Sequence, residues 1–168
     1  AVDELGKQSA LSYGATATAQ ATILSVSVDF GDYDFGTFTA VQSTISTGAV
    51  TITNLGNVTQ RYQLKADTGT VNTPWAIGTA RDNDVVVMNG LFNTARPADA
   101  DFAAVMSTMT IINAASGAAS GNFAGDQTGT NVPVAALRNL WFRLGMPLST
   151  SATDQQLIKI TITAEQAP

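Results

Sequence analysis

From Val58 to Ala66 the chain alternates without a break: Val58, Gln60, Tyr62, Leu64 and Ala66 on one parity, Thr59, Arg61, Gln63 and Lys65 on the other. Apart from Gln60, one face is apolar and the other polar. That period of two belongs to a half-buried β-strand and is incompatible with the 3.6-residue period of a helix. The pattern returns near the other end of the sequence. Leu140, Phe142, Leu144 and Met146 alternate with Trp141 and Arg143, and Ile158, Ile160, Ile162 and Ala164 alternate with Lys159, Thr161, Thr163 and Glu165. No amphipathic window of helical length separates these strands, which excludes a β-α-β arrangement.

Composition agrees. Charged residues make up 12% of the 168, about half the usual ~25%, while Thr occurs 23 times. Glu occurs twice and Lys three times, too few to clothe the exposed faces of helices, whereas branched Thr suits the pleated surface of a sheet. There is no His and no Cys. The commonest transition-metal ligands, nucleophile–His pairs and thiol redox chemistry are therefore missing. A net charge of −5 with eight scattered Lys and Arg makes a poor phosphate-backbone binder, so no nucleic-acid partner is expected. No apolar run reaches 18 residues, so no membrane-spanning helix is expected in the mature form. The leading Ala1, where Met would stand in an unprocessed chain, fits signal-peptide removal and an extracellular or cell-surface location.

Along the chain, residues 1–14 match neither period and read as an arm. In 15–22, Ala15, Ala17, Ala19 and Ala21 alternate with Thr16, Thr18, Gln20 and Thr22, and the parity then flips near Ile23. This divides the chain into an N-terminal arm, 1–22, and a β-sandwich domain, 23–168. A strand over 49–53 and the strand over 58–66 flank an Asn-Leu-Gly-Asn turn, which predicts a hairpin. Trp75 and Ile77 read as a short edge segment, and Val85–Met88 with Leu91 and Phe92, apolar on both parities, as a central strand buried on both faces or one crossing from core to contact surface. Pro97 followed by Asp99 and Asp101 predicts a short helix over 97–105. The glycine-punctuated stretch 114–131 reads as a loop. Seven to nine short strands with Gly and Asn turns make a β-sandwich the expected architecture.

Candidate chemical sites are weak. Asp29, Asp32 and Asp34 sit in two Asp-Phe-Gly triplets that lack every other kinase element; they read as turn punctuation, with a weak calcium loop as the alternative. Asp82-Asn83-Asp84 offers oxygen ligands, but Val87 and Asn93 stand where an EF-hand loop needs Gly and Glu. Asp99 and Asp101 read as helix-start or surface charges, and Asp126 has no evident partner. Glycosidase chemistry needs a placed carboxyl pair and aromatic platforms, for which two Glu and two Trp are poor material. Trp141, opposite in parity to Leu140 and Phe142, reads as facing a covering layer, or else with Trp75 as a sugar-binding face. Asn57-Val58-Thr59 fits a glycosylation sequon. No enzyme activity, metal or cofactor is expected.

The stretch Ile52–Thr59, running into Tyr62 and Leu64, resembles a hairpin common in secreted immunoglobulin-like modules. Leu140–Leu144 with Pro147 and Gln156–Glu165 resembles the closing strands of that class. The resemblance implies an all-β, immunoglobulin-like β-sandwich with an N-terminal extension. The alternating segment 15–22 is similar in layout to the donor strands of prokaryotic surface filaments. That likeness implies a structural, pilus-like subunit forming a head-to-tail homopolymer. Leu11, Tyr13, Ala15, Ala17, Ala19 and Ala21 would then be the interface face of a strand added to the next subunit. The alternative is a monomeric secreted adhesion or carbohydrate-binding module, in which residues 15–22 pair within their own chain.

Overall fold

A computed structural model describes residues 21–29, 31–37, 39–68, 74–102, 105–106, 112–113 and 123–168. These form an all-β body with no α-helix among them. One sheet has the order β1 (Val26–Val28), β3 (Val50–Asn54), β9 (Leu137–Gly145), β6 (Val85–Phe92), β5 (Ala76–Ile77). Two short strands complete it: β2 (Ser43–Ile45) pairs with β9, and β7 (Val105–Met106) with β6. The other sheet has three strands, β10 (Ile158–Gln166), β4 (Gln60–Thr68) and β8 (Ile112–Asn113). Every pair is antiparallel except β5 with β6.

The two sheets enclose one core. Val50 and Ile52 come from β3, Tyr62, Leu64 and Ala66 from β4, Val86, Met88 and Phe92 from β6, and Leu140, Phe142 and Leu144 from β9. The alternation of β4 reads directly as burial: Gln60, Tyr62, Leu64 and Ala66 are fully enclosed and the residues between them are half-buried. β6 is buried on both faces because a second cluster covers the far side of its sheet. There Leu91 and Trp141 meet Phe102, flanked by half-buried Ile45 and Ala49. The expected edge segment at Trp75–Ile77 is the short strand β5.

The predicted hairpin does not form. Both of its strands exist with the predicted parities, but β3 pairs with β1 and β9 while β4 pairs with β10 and β8. The Asn-Leu-Gly-Asn segment crosses between sheets. Alternation tells which side chains face the core and is silent about which strand lies alongside. The crossing is held by Asn54, whose buried Nδ2 donates to Val58 O and Val132 O, both at 2.9 Å, while its Oδ1 accepts from Gly56 N at 2.9 Å. Gly56 is required there, because a Cβ would fall on Ile23 O and Gln60 Nε2.

The predicted helix over 97–105 shrinks to a single 3-10 turn, Asp99–Asp101. Ala98 N donates to Asp101 Oδ2 at 2.8 Å, but no apolar stripe follows that could bury a longer helix. Phe102 instead turns down onto Leu91 and Trp141.

Candidate functional site

The feature of the fold with most capacity for binding is the outer edge of β10. Nine consecutive residues of this strand pair with β4, from Ile158 opposite Thr68 to Gln166 opposite Gln60, with no bulge. On its other side β10 has no strand beside it among the described residues. The remaining edge strands are short: β1 has three residues, and β5 and β8 have two each.

The ladder fixes which groups this edge presents. Along a strand each residue directs its N–H and C=O to one side, and successive residues alternate sides. Gln60 exchanges both backbone hydrogen bonds with Val132, at 3.0 and 2.8 Å, and Tyr62 N donates to Gly129 O at 2.7 Å. Even-numbered residues of β4 therefore point away from β10. Arg61, Gln63, Lys65 and Asp67 bond to Glu165, Thr163, Thr161 and Lys159, their register partners. It follows that Ile158, Ile160, Ile162 and Ala164 direct their backbone groups outward.

The same four residues turn their side chains inward, where they pack against the main core, yet each is only half-buried. Their neighbours across the ladder, Leu64 opposite Ile162 and Ala66 opposite Ile160, are 0% exposed. Among the described residues the core is closed over β4 and only partly covered along β10. The outward face is polar, with an Arg61–Glu165 ion pair at 2.7 Å between the two strands. Natural sheets protect long edges with prolines, bulges or charges. Within β10 only Lys159 supplies a free charge of this kind, since Glu165 is held by Arg61.

Of the residues assigned to the interface from sequence, Leu11, Tyr13, Ala15, Ala17 and Ala19 lie outside the described residues. Ala21 is exposed, and its carbonyl accepts from Asn57 Nδ2 at 2.7 Å. Ile23 N donates to Asn57 Oδ1, Asn57 N to Ile23 O, and Leu55 N to Ser25 O. The root of the arm is thus tied to the β3–β4 crossing, and the sequon asparagine spends its side-chain amide on that tie. Nothing in the sequence marked Asn57 for this role beyond its place in a turn.

The acidic candidates other than Asp32 each hold a turn, a backbone amide or an ion pair of the fold. Asp84, in a left-handed conformation (φ 54°), accepts from Ser151 Oγ and Ser151 N, both at 2.7 Å, and from Thr150 Oγ1 at 2.9 Å. The Ser151 bonds hold its carboxyl below the ordinary range. Asp82 accepts from Asn83 N, Asp29 from Thr51 N and Asp34 from Gly36 N. Asp126 has a partner after all, accepting from Thr94 N at 2.6 Å. Asp99 is bound by Arg143 at 2.6 Å, and that hydrogen bond lowers its pKa. Among the described residues no three acidic groups converge on a point where a metal ion would sit. Trp141 is 8% exposed with its Nε1 donating to Asn93 O, so it offers no flat platform; Trp75 is half-buried, with Nε1 bound to Thr150 Oγ1. No family model, curated protein or solved structure matches this chain.

Proposed function

We propose that the protein is the structural subunit of an extracellular filament, an immunoglobulin-like sandwich whose open β10 edge receives the N-terminal strand of the next copy. The observation that carries the reading is the coincidence, on Ile158, Ile160, Ile162 and Ala164, of outward backbone groups with half-covered apolar side chains. An added strand satisfies both at once, pairing with the edge and laying one row of side chains over the uncovered isoleucines. The segment 15–21 of a neighbouring copy suits this place. Its alanines are small enough to lie beside isoleucine without forcing the sheets apart, and its threonines continue the polar outer face of Thr161 and Thr163. Because the edge, 158–166, and the arm are different segments of the chain, the contact is head-to-tail and propagates into an open fibre. The rival, a monomeric adhesion or sugar-binding module, draws less support, since Trp141 is covered.

Proline substitution tests the reading. Ala164→Pro removes an N–H that points outward and leaves the bonds to β4 in place, whereas Thr163→Pro removes one of those bonds. Ala164→Pro is expected to stay folded and monomeric, by circular dichroism and negative-stain microscopy, while the unaltered chain forms fibres; Thr163→Pro is expected to lose stability. Fibres from folded Ala164→Pro at the unaltered level, or an intact chain that stays monomeric at high concentration, refute the proposal.

A further inference from the structure

Among the described residues, exposed large apolar side chains are not scattered. Five of them, Ile23, Leu24, Leu55, Val134 and Leu137, are between 44% and 58% exposed and gather at one end. Their segments are tied together there: Leu55 N to Ser25 O, Asn57 N to Ile23 O, and Ala135 N to Asn54 O. Three more, Val41, Leu148 and Leu157, lie at the opposite end, where residues 147–157 cross from the end of β9 to the start of β10 and Val41 N donates to Pro147 O. Among the described residues only Val28 is exposed on a flank, at 40%.

The first end carries few charges: Arg138 stands there, its Nε donating to Thr128 O and its Nη1 to Leu137 O, and the Arg61–Glu165 pair lies one residue further along the strands. Residues 21–25, 54–60, 128–137 and 166–168, which meet there, include no Asp, Glu, Lys or Arg. The ion pairs Lys65–Asp67 and Arg143–Asp99 lie further along the strands and faces. A cluster of exposed apolar side chains rimmed by polar and charged groups is the pattern of an interaction surface.

We infer that this apolar end is the axial docking surface for a second copy of the chain, seating on that copy's Val41–Leu148–Leu157 end. The inference rests on the strand-addition reading and gives it a direction. Twenty residues precede Ala21, and Ala21 is rooted in this end through Asn57. A strand advances about 3.4 Å per residue, so with residues 15–19 on a neighbour's edge, Ala21 is within roughly 7 Å of that edge and its own body abuts the neighbour. If the arm runs antiparallel to β10, Ala21 arrives at the Ile158 end, beside Leu157. If it runs parallel, it arrives at the Gln166 end and leaves Leu148 and Leu157 bare. The antiparallel arrangement covers both apolar ends and repeats from copy to copy.

The absence of cysteine makes the test clean. Single-cysteine variants of the full chain are refolded together in pairs and oxidised. Leu55→Cys with Leu157→Cys is expected to give a disulfide-linked dimer, and Leu55→Cys with Ala167→Cys is not. Thr18→Cys with Thr163→Cys reports strand addition by itself. If that last pair links and 55–157 does not, the axial contact is refuted and the edge reading stands; if 55–167 links in its place, the direction is refuted; if none links, both readings fall. As a second measure, Leu55→Asp with Leu137→Asp, both on exposed side chains, is expected to shift fibres to short oligomers while the 18–163 disulfide persists; fibres of unaltered length overturn the inference.

Discussion

Replacing Asn54 by alanine tests the physical account of the β3–β4 crossing. The side chain is 0% exposed and makes three hydrogen bonds, to Val58 O, Val132 O and Gly56 N. The bond to Val58 O is partly buried, and water can replace the lost donor there. Val132 O would lose one bond but keep Gln60 N as a donor, whereas the buried Gly56 N would be left without the partner that Asn54 supplies. A net hydrogen bond contributes about 1 kcal/mol and a stranded buried group costs about 1–3 kcal/mol, so the loss sums to about 3–5 kcal/mol. Against a total stability of about 5–15 kcal/mol that is a large fraction. Urea unfolding followed by Trp75 and Trp141 fluorescence, at a concentration where the chain is monomeric, would show it. With a slope of about 2 kcal/mol/M the midpoint falls by roughly 2 M. Asn54→Asp separates hydrogen bonding from volume. It keeps the shape and the Gly56 bond but sets a carboxylate against two carbonyl oxygens, so it is expected to be worse than alanine. An alanine variant within about 1 kcal/mol of the parent, or an aspartate variant more stable than the alanine one, would refute the reasoning.

Three further outcomes are expected. Gly56→Ala drives a Cβ into Ile23 O and Gln60 Nε2, costing about 1–3 kcal/mol and removing hydrogen-exchange protection at the Leu55 and Asn57 amides. Tyr62→Phe is expected to leave stability unchanged or raised at neutral pH, because the buried hydroxyl has no partner. Burial pushes that hydroxyl up to about 12, so the folded state holds its proton longer than the unfolded chain. Stability is therefore intact below pH ~10 and lost as the pH rises toward ~12, and urea midpoints at alkaline pH should fall less in the phenylalanine variant. Asp99→Asn removes an exposed partner of Arg143 and is expected to cost under about 1 kcal/mol. The pair's contribution is present above the normal carboxylate range and fades as acid protonates Asp99, which acid titration of both proteins checks.

Side-chain direction was legible in the sequence, and partnership was not. The parity of β4, β9 and β10 and the double burial of β6 follow from periodicity, because each residue's environment is set by its own face of the strand. That β3 and β4 belong to different sheets depends on Asn54 reaching Val132, 78 residues away, which no local pattern encodes. Trp141 could be assigned a face by parity, but its cover, Phe102, sits in a segment whose sequence suggested a helix. The acidic pairs that resembled ligands turned out to bind backbone amides and hydroxyls, a use that favours the same residue types in the same turns. The open edge itself is invisible in sequence, since an edge strand and a central one covered on one face share one alternation.

The pairing of β10 with β4 also bears on how the chain reaches this state. Arg61 meets Glu165 across 104 positions of sequence, and all nine pairs of that ladder close loops of about this size. Contacts so distant form late and slow a β-protein's folding toward the millisecond-to-second range. During synthesis, β4 is complete some ninety residues before its partner exists. For that interval the growing polypeptide carries an orphan strand able to join any matching neighbour, and a chaperone that shields Tyr62–Ala66 until Ile158 emerges would raise the yield of correctly folded molecules.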